Sequence, residues 1–134
     1  MTLRGTGPAV LWALLILLLC LMPGPALPKW DWADLFSLDK PVHAILFAVQ
    51  FVLLVRALAR DTWRSGPGSR VFVLAFLLTV AYGVLTEVMQ HLEALGRHGD
   101  VNDALANTVG ALLGAGYLRW RSRRERSAGS TKVA

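Results

Sequence analysis

Long apolar runs alternate with short polar stretches along the chain. The runs cover Ala9–Met22, Val42–Leu58, Val71–Met89 and Ala104–Leu118. A membrane-spanning helix needs about 20 predominantly apolar residues, within a range of about 17–25. The second and third runs reach this length alone, and the first and fourth reach it once their flanks are included. The pattern predicts an all-α polytopic membrane protein built as a four-transmembrane-helix bundle.

The spacing of the runs places the helices at about 7–23, 40–60, 70–92 and 101–120, within a single membrane domain of residues 1–126. Residues 127–134 are short and polar, which is typical of a disordered tail. The first run also has features of a secretory signal, because Arg4 precedes it and small residues follow it. Prolines at 23, 25 and 28 disfavour cleavage there, so we expect this helix to be retained.

Ionisable and amide side chains fall on one face of each of the last three predicted helices. Residues three, four and seven positions apart share a helix face. A charge at the centre of a membrane helix costs about 2.5–3.5 kcal/mol on insertion scales, so such residues usually have partners or a function. Glycines on the same faces, at 83, 110 and 114, permit close helix packing. The three faces consist of Asp39, His43 and Gln50; Gly83, Glu87 and Gln90; and Asp103, Asn107, Gly110 and Gly114.

Signals of a helix start precede the second run. Asp39 is suited to cap the second helix, and Pro41 would lie in its first turn, where a missing N–H is tolerated. Upstream, Trp30, Trp32 and Phe36 are interleaved with acidic residues. Aromatic rings of this kind favour the level of the lipid headgroups, which predicts a short interfacial segment between helices 1 and 2.

Composition supports a membrane protein, because 54% of the residues are apolar and only 17% are charged, against about 25% charged in soluble chains. Most cations fall at the two ends and between the second and third runs, at Arg4, Arg56, Arg60, Arg64, Arg70, Arg119, Arg121, Arg123, Arg124, Arg126 and Lys132. The remaining connections hold Lys29, Lys40 and Arg97. Basic residues in short loops stay cytoplasmic, so both termini are expected inside. The basic tail follows a membrane helix, which favours anionic lipid headgroups over nucleic acid as its partner.

This orientation places the polar ends of the last three predicted helices together on the extracytoplasmic side. At about 1.5 Å rise per residue, their polar residues lie at similar depths. We therefore expect one outer pocket that binds an anionic lipid or a lipid-linked precursor, formed by Asp39, Lys40, His43, Glu87, Gln90, Arg97, Asp103 and Asn107.

The same residues resemble the motifs of the VanZ-like family of small bacterial membrane proteins. The resemblance rests on Asp39-Lys40-x-x-His43, Tyr82-Gly83, Glu87-x-x-Gln90, Arg97 and Asp103-x-x-x-Asn107-x-x-Gly110-x-x-x-Gly114, and it covers roughly residues 35–118. It implies a multi-helix domain of the bacterial inner membrane, associated with the cell envelope. The founding member of the family is linked to teicoplanin resistance, and the family carries no settled biochemical activity to transfer.

Four interpretations of the polar residues remain open. A binding site for a lipid or lipid-linked precursor is preferred, because it needs no nucleophile. A membrane enzyme would use His43 as a base, oriented by Asp39 or Glu87. A metal site would draw on His43, His91, His98, Glu87, Asp100 and Asp103. No familiar ligand spacing is present among them, and Cys20 is the only cysteine. We therefore expect no metal and no cofactor. Finally, the polar residues could be purely structural.

Overall fold

The protein folds into helices throughout the part of the chain that the structure describes. This structure is a computed structural model that describes residues 5–21, 32–59, 63, 67–91 and 101–130, with 32–39 and 128–130 described by their backbone alone. The helices are α1 (Gly7–Cys20), α2 (Trp32–Leu58), α3 (Ser69–Gln90) and α4 (Val101–Ser130). Within the described ranges there is no strand, in agreement with the predicted all-α class.

Helices α1 and α3 run in the same direction. The Tyr82 hydroxyl of α3 donates a hydrogen bond to the Ala13 carbonyl of α1. Eight residues further along α3, the Gln90 amide donates to the Cys20 carbonyl at 2.9 Å. Because both partners advance together along their helices, the two axes are parallel. These bonds join α1 to α3 although the two helices are separated in sequence by all of α2.

Helices α2 and α4 are also parallel, and they form the most extensive helix–helix contact in the described chain. A Cβ atom on Gly110 would overlap the Ala44 carbonyl, and one on Gly114 would lie 2.8 Å from the Ala48 carbonyl oxygen. Only glycine permits this approach of two backbones, as in small-xxx-small contacts of membrane helices. The glycine spacing therefore sets the register between α2 and α4.

Two apolar clusters fill the space between the helices. Toward the carboxyl end of α2, aromatic and aliphatic side chains of three helices pack together, and the Phe51 and Phe72 rings are 6.0 Å apart. A smaller cluster joins α1 to α2 and consists of Ile16, Cys20 and Phe47. The first cluster consists of Phe51, Val55, Ala75, Ala111 and Leu118. Together the two clusters pack the four helices against one another.

The predicted start of the second helix is wrong. Helix α2 begins at Trp32 rather than near residue 40, so Asp39 lies within the helix and does not cap it. Pro41 is inside α2, where it lacks the N–H that would bond the carbonyl four residues earlier. The segment before Pro41 contains neither glycine nor proline, so nothing in it interrupts a helix. Residues 32–36 of the predicted interfacial segment form the amino end of α2, and Trp30 lies outside the described residues.

The ends of the first and last helices also differ from the prediction. Helix α1 ends at Cys20, and its 14 residues correspond to about 21 Å of helix. Helix α4 continues to Ser130, ten residues past the predicted end and into the tail expected to be disordered. Pairs four residues apart support this extension, because Arg121 donates a hydrogen bond to Glu125 at 2.8 Å. Residues 131–134 lie outside the described chain.

The outward faces of the helices are strongly apolar. Two stretches, Lys40–Leu58 and Ser69–Gln90, are long and apolar enough to cross a membrane, and only 33% and 28% of their most apolar windows are buried inside the protein. Leu77 and Val88 of α3 are 59% and 60% exposed. Because a monomeric soluble protein rarely exposes a continuous apolar surface of this kind, these faces indicate a membrane protein.

Candidate functional site

Three helices bring four polar side chains together at one end of the bundle. His43 comes from the amino-terminal half of α2, Glu87 from the last turn of α3, and Asp103 and Asn107 from the first turns of α4. We call these four residues the polar cluster. The ligating atoms of its histidine and two carboxylates all lie within 4.8 Å of one another.

Asn107 is the residue that connects the members of the cluster. The distance from His43 Nδ1 to Asn107 Oδ1 is 3.0 Å, and the Asn107 amide nitrogen donates to Glu87 Oε1 at 3.5 Å. His43 Nδ1 is itself 3.8 Å from Glu87 Oε1. Since an amide oxygen only accepts, this arrangement has the proton of His43 on Nδ1, directed at Asn107. The amide thereby orients both the imidazole and the carboxylate.

The cluster is almost closed to solvent. Asn107 is 1% exposed, His43 is 5%, Glu87 is 8% and Asp103 is 9%. Charges in such surroundings interact far more strongly than in water, because the effective dielectric constant is lower. The two buried carboxylates therefore interact strongly with any cation or proton close to the cluster.

Close packing holds the cluster in position. A Cβ atom on Gly83 would lie 3.0 Å from Asn107 Cβ and 3.2 Å from an edge carbon of Phe47. The Phe47 and Tyr82 rings are 5.9 Å apart beneath the cluster. Gly83 thus allows α4 to approach α3 at the depth where Asn107 must reach Glu87 and His43. Any larger side chain at this position would push on Asn107.

Of the other predicted site residues, Gln90 and Lys40 do not join the polar cluster. Gln90 is buried, but its amide bonds the Cys20 carbonyl of α1. Lys40 is exposed on α2, three residues before His43. Asp39 is described by its backbone alone, and Arg97 lies outside the described residues. Gln50, on the same face of α2 as His43, is buried, and its side-chain oxygen has no hydrogen-bond partner among the described residues.

Of the other residues considered for a metal site, the structure describes only His91, which is not part of the polar cluster. His91 is exposed at the carboxyl end of α3. His98 and Asp100 lie outside the described residues. His43, Glu87 and Asp103 come from three different helices, so no local spacing in the sequence could reveal them as a set of neighbours.

Two aromatic residues tie α1 to the bundle close to this site: Trp12, which sequence reasoning missed, and Tyr82, which it named only as part of a family motif. The Trp12 indole N–H donates to the Leu46 carbonyl of α2 at 2.9 Å, and the Tyr82 hydroxyl donates to the Ala13 carbonyl. Each has a polar tip on an apolar ring, which is the type of side chain that forms hydrogen bonds inside an apolar environment. The sequence feature that could have revealed them is their position inside predicted membrane-spanning helices, away from the expected membrane interfaces.

The opposite end of the bundle is basic. The start of α3 and the carboxyl half of α4 form a groove of about 340 Å³, lined by Pro67, Ser69, Phe72, Val73, Arg119, Ser122, Arg123 and Arg126. Outside the groove, the Arg124 guanidinium stacks 4.3 Å from the Trp120 ring centre. The hydrogen bond that Arg121 donates to the Glu125 carboxylate raises the pKa of Arg121. Several arginines on neighbouring turns are suited to bind phosphate groups.

Comparison with known proteins identifies the family. None of the curated proteins and none of the solved structures matches this chain. The family model described as VanZ/LLP1 matches residues 10–122, a segment that contains the whole polar cluster and most of all four helices. The predicted resemblance is confirmed, and the chain belongs to the VanZ/LLP1 family.

Proposed function

We propose that this protein crosses the bacterial inner membrane four times, with both termini in the cytoplasm and the polar cluster near the extracytoplasmic surface. The exposed apolar faces of α2 and α3 support insertion, and the basic residues at the opposite end support the orientation. The first 20 residues of α4 would give about 30 Å of helix, and α1 needs its flanks or a thinner local bilayer to span.

Reporter fusions test this orientation. A fusion at Ser65, between α2 and α3, should report the cytoplasm, and one at Gly96, between α3 and α4, should report the outside. A cytoplasmic signal from fusions at both positions would contradict the topology and would place the polar cluster on the wrong side.

The outer site, in this proposal, binds the phosphate-bearing headgroup of an anionic lipid or of a lipid-linked cell-envelope precursor. The observation that carries the proposal is the convergence of His43, Glu87, Asp103 and Asn107 from three helices at one end of an otherwise apolar bundle. Buried polar groups within membrane helices mark functional sites by default, because burying them without a role is unfavourable.

Positive charge for such a ligand would come from the rim of the cluster. Lys40 is exposed and begins the turn that carries His43, so its ammonium can reach the surface above the cluster. Arg97 belongs to the connection between α3 and α4, and a guanidinium there would contact phosphate through two hydrogen bonds. The carboxylates and amide below would accept hydrogen bonds from hydroxyls of a sugar or glycerol headgroup.

A membrane enzyme acting on a lipid-linked substrate is the second candidate. It is favoured by the position of His43, whose ring is held by Asn107 at 3.0 Å and lies 3.8 Å from Glu87. A histidine oriented in this way, beside a carboxylate, can accept a proton from a substrate hydroxyl or from water. This candidate uses the same headgroup site and adds turnover.

Native mass spectrometry with a parallel thermal melt tests the binding site. Wild type should retain an anionic lipid or precursor, and Lys40→Gln and Arg97→Gln should lose it with little change in melting temperature. Arg70→Gln, an exposed arginine at the start of α3 on the opposite side of the bundle, is the matched control and should retain the ligand.

Two other results would favour the remaining interpretations. If the bound molecule changes mass over time in wild type but not in His43→Gln, the protein is an enzyme. If wild type carries no lipid or precursor in several membrane mimetics, while changes in the polar cluster lower the melting temperature, the ligand site is contradicted and the cluster is purely structural.

A further inference from the structure

We propose that the polar cluster is a binding site for one divalent metal ion of the zinc or manganese class, held by His43, Glu87 and Asp103. The three side chains offer one imidazole nitrogen and two carboxylate oxygens, all within 4.8 Å of one another. The proposal concerns the metal alone and does not depend on a lipid ligand.

The distances in the cluster suit a single ion. Two ligands, each about 2.1 Å from a tetrahedral zinc ion, lie about 3.4 Å apart. His43 Nδ1 lies 3.8 Å from Glu87 Oε1, close to this value, and the ligand atoms of all three residues lie within 4.8 Å of one another. Small rotations of the Glu87 and Asp103 side chains would therefore close the ligand set around an ion.

The chemistry of the ligands indicates the class of ion. Imidazole nitrogen suits zinc and other first-row transition metals, whereas calcium and magnesium prefer sites made of oxygen alone. A nitrogen with two carboxylates is a common combination for zinc. His43 Nδ1 would bind the ion in the tautomer that carries the ring proton on Nε2. Asn107 would then supply a further oxygen ligand or the hydrogen bond that orients the Glu87 carboxylate, and metal sites usually contain such a supporting residue.

Electrostatics supplies the reason for an ion in this place. Glu87 and Asp103 are less than a tenth exposed and close enough for their charges to repel strongly in surroundings of low dielectric constant. A divalent ion bound by both carboxylates would reduce this repulsion. Three protein ligands would leave a coordination position for a water molecule or for an oxygen of a bound ligand.

The helices provide a rigid frame for the site. Each ligand comes from a helix, and Gly110 and Gly83 allow α4 to pack against α2 and α3 at the depth of Asn107. Sites built on packed helices keep their ligands in place better than sites on loops. The frame therefore needs little rearrangement when an ion binds.

Metal binding is tested on tag-free full-length protein in detergent, stripped with a chelator and titrated separately with Zn²⁺, Mn²⁺, Mg²⁺ and Ca²⁺. Calorimetry and elemental analysis should give one Zn²⁺ or Mn²⁺ per chain, with weaker binding of Mg²⁺ and Ca²⁺. His43→Gln, Glu87→Gln and Asp103→Asn should each weaken binding more than about 100-fold, and Asn107→Ala by about 10–100-fold, as for loss of a supporting residue.

Control variants and measurements of the melting temperature complete the test. His91→Gln and Glu125→Gln change the same residue types at exposed positions and should bind the ion like wild type. Bound metal should raise the melting temperature of wild type in proportion to the logarithm of its concentration, and a chelator should reverse this rise. Binding of less than a tenth of an ion per wild-type chain, or unchanged affinity in folded His43→Gln or Glu87→Gln, would overturn the proposal.

Discussion

Replacement of Gly110 by alanine isolates the contact on which the geometry of the bundle depends. A Cβ atom at this position would overlap the Ala44 carbonyl of α2, in the most extensive helix–helix contact of the described chain. Neither the carbonyl nor the backbone around it can rotate away, so α2 and α4 must separate. Overpacking of this kind typically lowers the free energy of unfolding by about 1–3 kcal/mol.

Gly116→Ala is the matched control, because it makes the same chemical change on the same helix. No atom lies within 4 Å of a Cβ built on Gly116. Both substitutions gain the same helix propensity, up to about 1 kcal/mol, so this contribution cancels in the comparison. The difference in free energy of unfolding between the two variants should therefore be about 1–3 kcal/mol, with Gly110→Ala the less stable.

Reversible unfolding in mixed micelles, followed by circular dichroism or by a helix-pair fluorescence signal, measures this difference. Gly114→Ala should fall between the two variants, since its Cβ would lie 2.8 Å from the Ala48 carbonyl oxygen. If Gly110→Ala and Gly116→Ala unfold with the same free energy, then α2 and α4 do not touch through their backbones and the described packing is incorrect.

Three further predictions concern the packing of Gly83 against Asn107, the bond from Tyr82 to α1, and the basic groove. Gly83→Ala should lower the free energy of unfolding and disturb the imidazole NMR signals of His43, because its Cβ would lie 3.0 Å from Asn107 Cβ. The substitution changes no polar group, so unchanged signals would contradict the contact. Tyr82→Phe should lower the free energy of unfolding by about 0.6–1.7 kcal/mol through loss of the bond to α1, whereas Tyr117→Phe, at a half-exposed ring, should have no effect. Arg119→Gln and Arg123→Gln should weaken binding to vesicles that contain anionic phospholipid and reduce its salt dependence, and Arg124→Gln, outside the groove, should do so less.

The helical character and the polar faces were predictable from sequence because both depend on local periodicity. Residues spaced three, four or seven apart must share a face, so Glu87 could be aligned with Gly83, and Asn107 with Asp103, without any knowledge of the fold. The meeting of these faces also required the order and direction of the helices. Directions inferred from the basic residues placed His43, Glu87 and Asn107 at one end, and the structure has them in contact.

Other features could not be predicted, because local sequence patterns allow two outcomes and do not show which one the folded protein adopts. Asp39 and Pro41 together resemble a helix start, but the uninterrupted segment before them continues the helix to Trp32. Gln90 shares a face with Glu87, yet α1 provides the Cys20 carbonyl, and the amide bonds there instead of entering the cluster. In both cases the outcome is decided by a partner that is distant in sequence, so local patterns were insufficient.

The metal proposal illustrates the same limit for chemistry. Familiar metal motifs are recognised because two ligands lie within one turn of a helix, and the three proposed ligands include no such pair. Each of the three helices provides one ligand. His43 and Glu87 are 44 residues apart in the sequence, and Glu87 and Asp103 are 16 residues apart. Their meeting depends on Gly83 and Gly110, which bring α4 close to α3 and α2 at the required depth. The glycines that look structural and the polar residues that look functional therefore act together, and a variant such as Gly83→Ala should reduce metal affinity without removing any ligand.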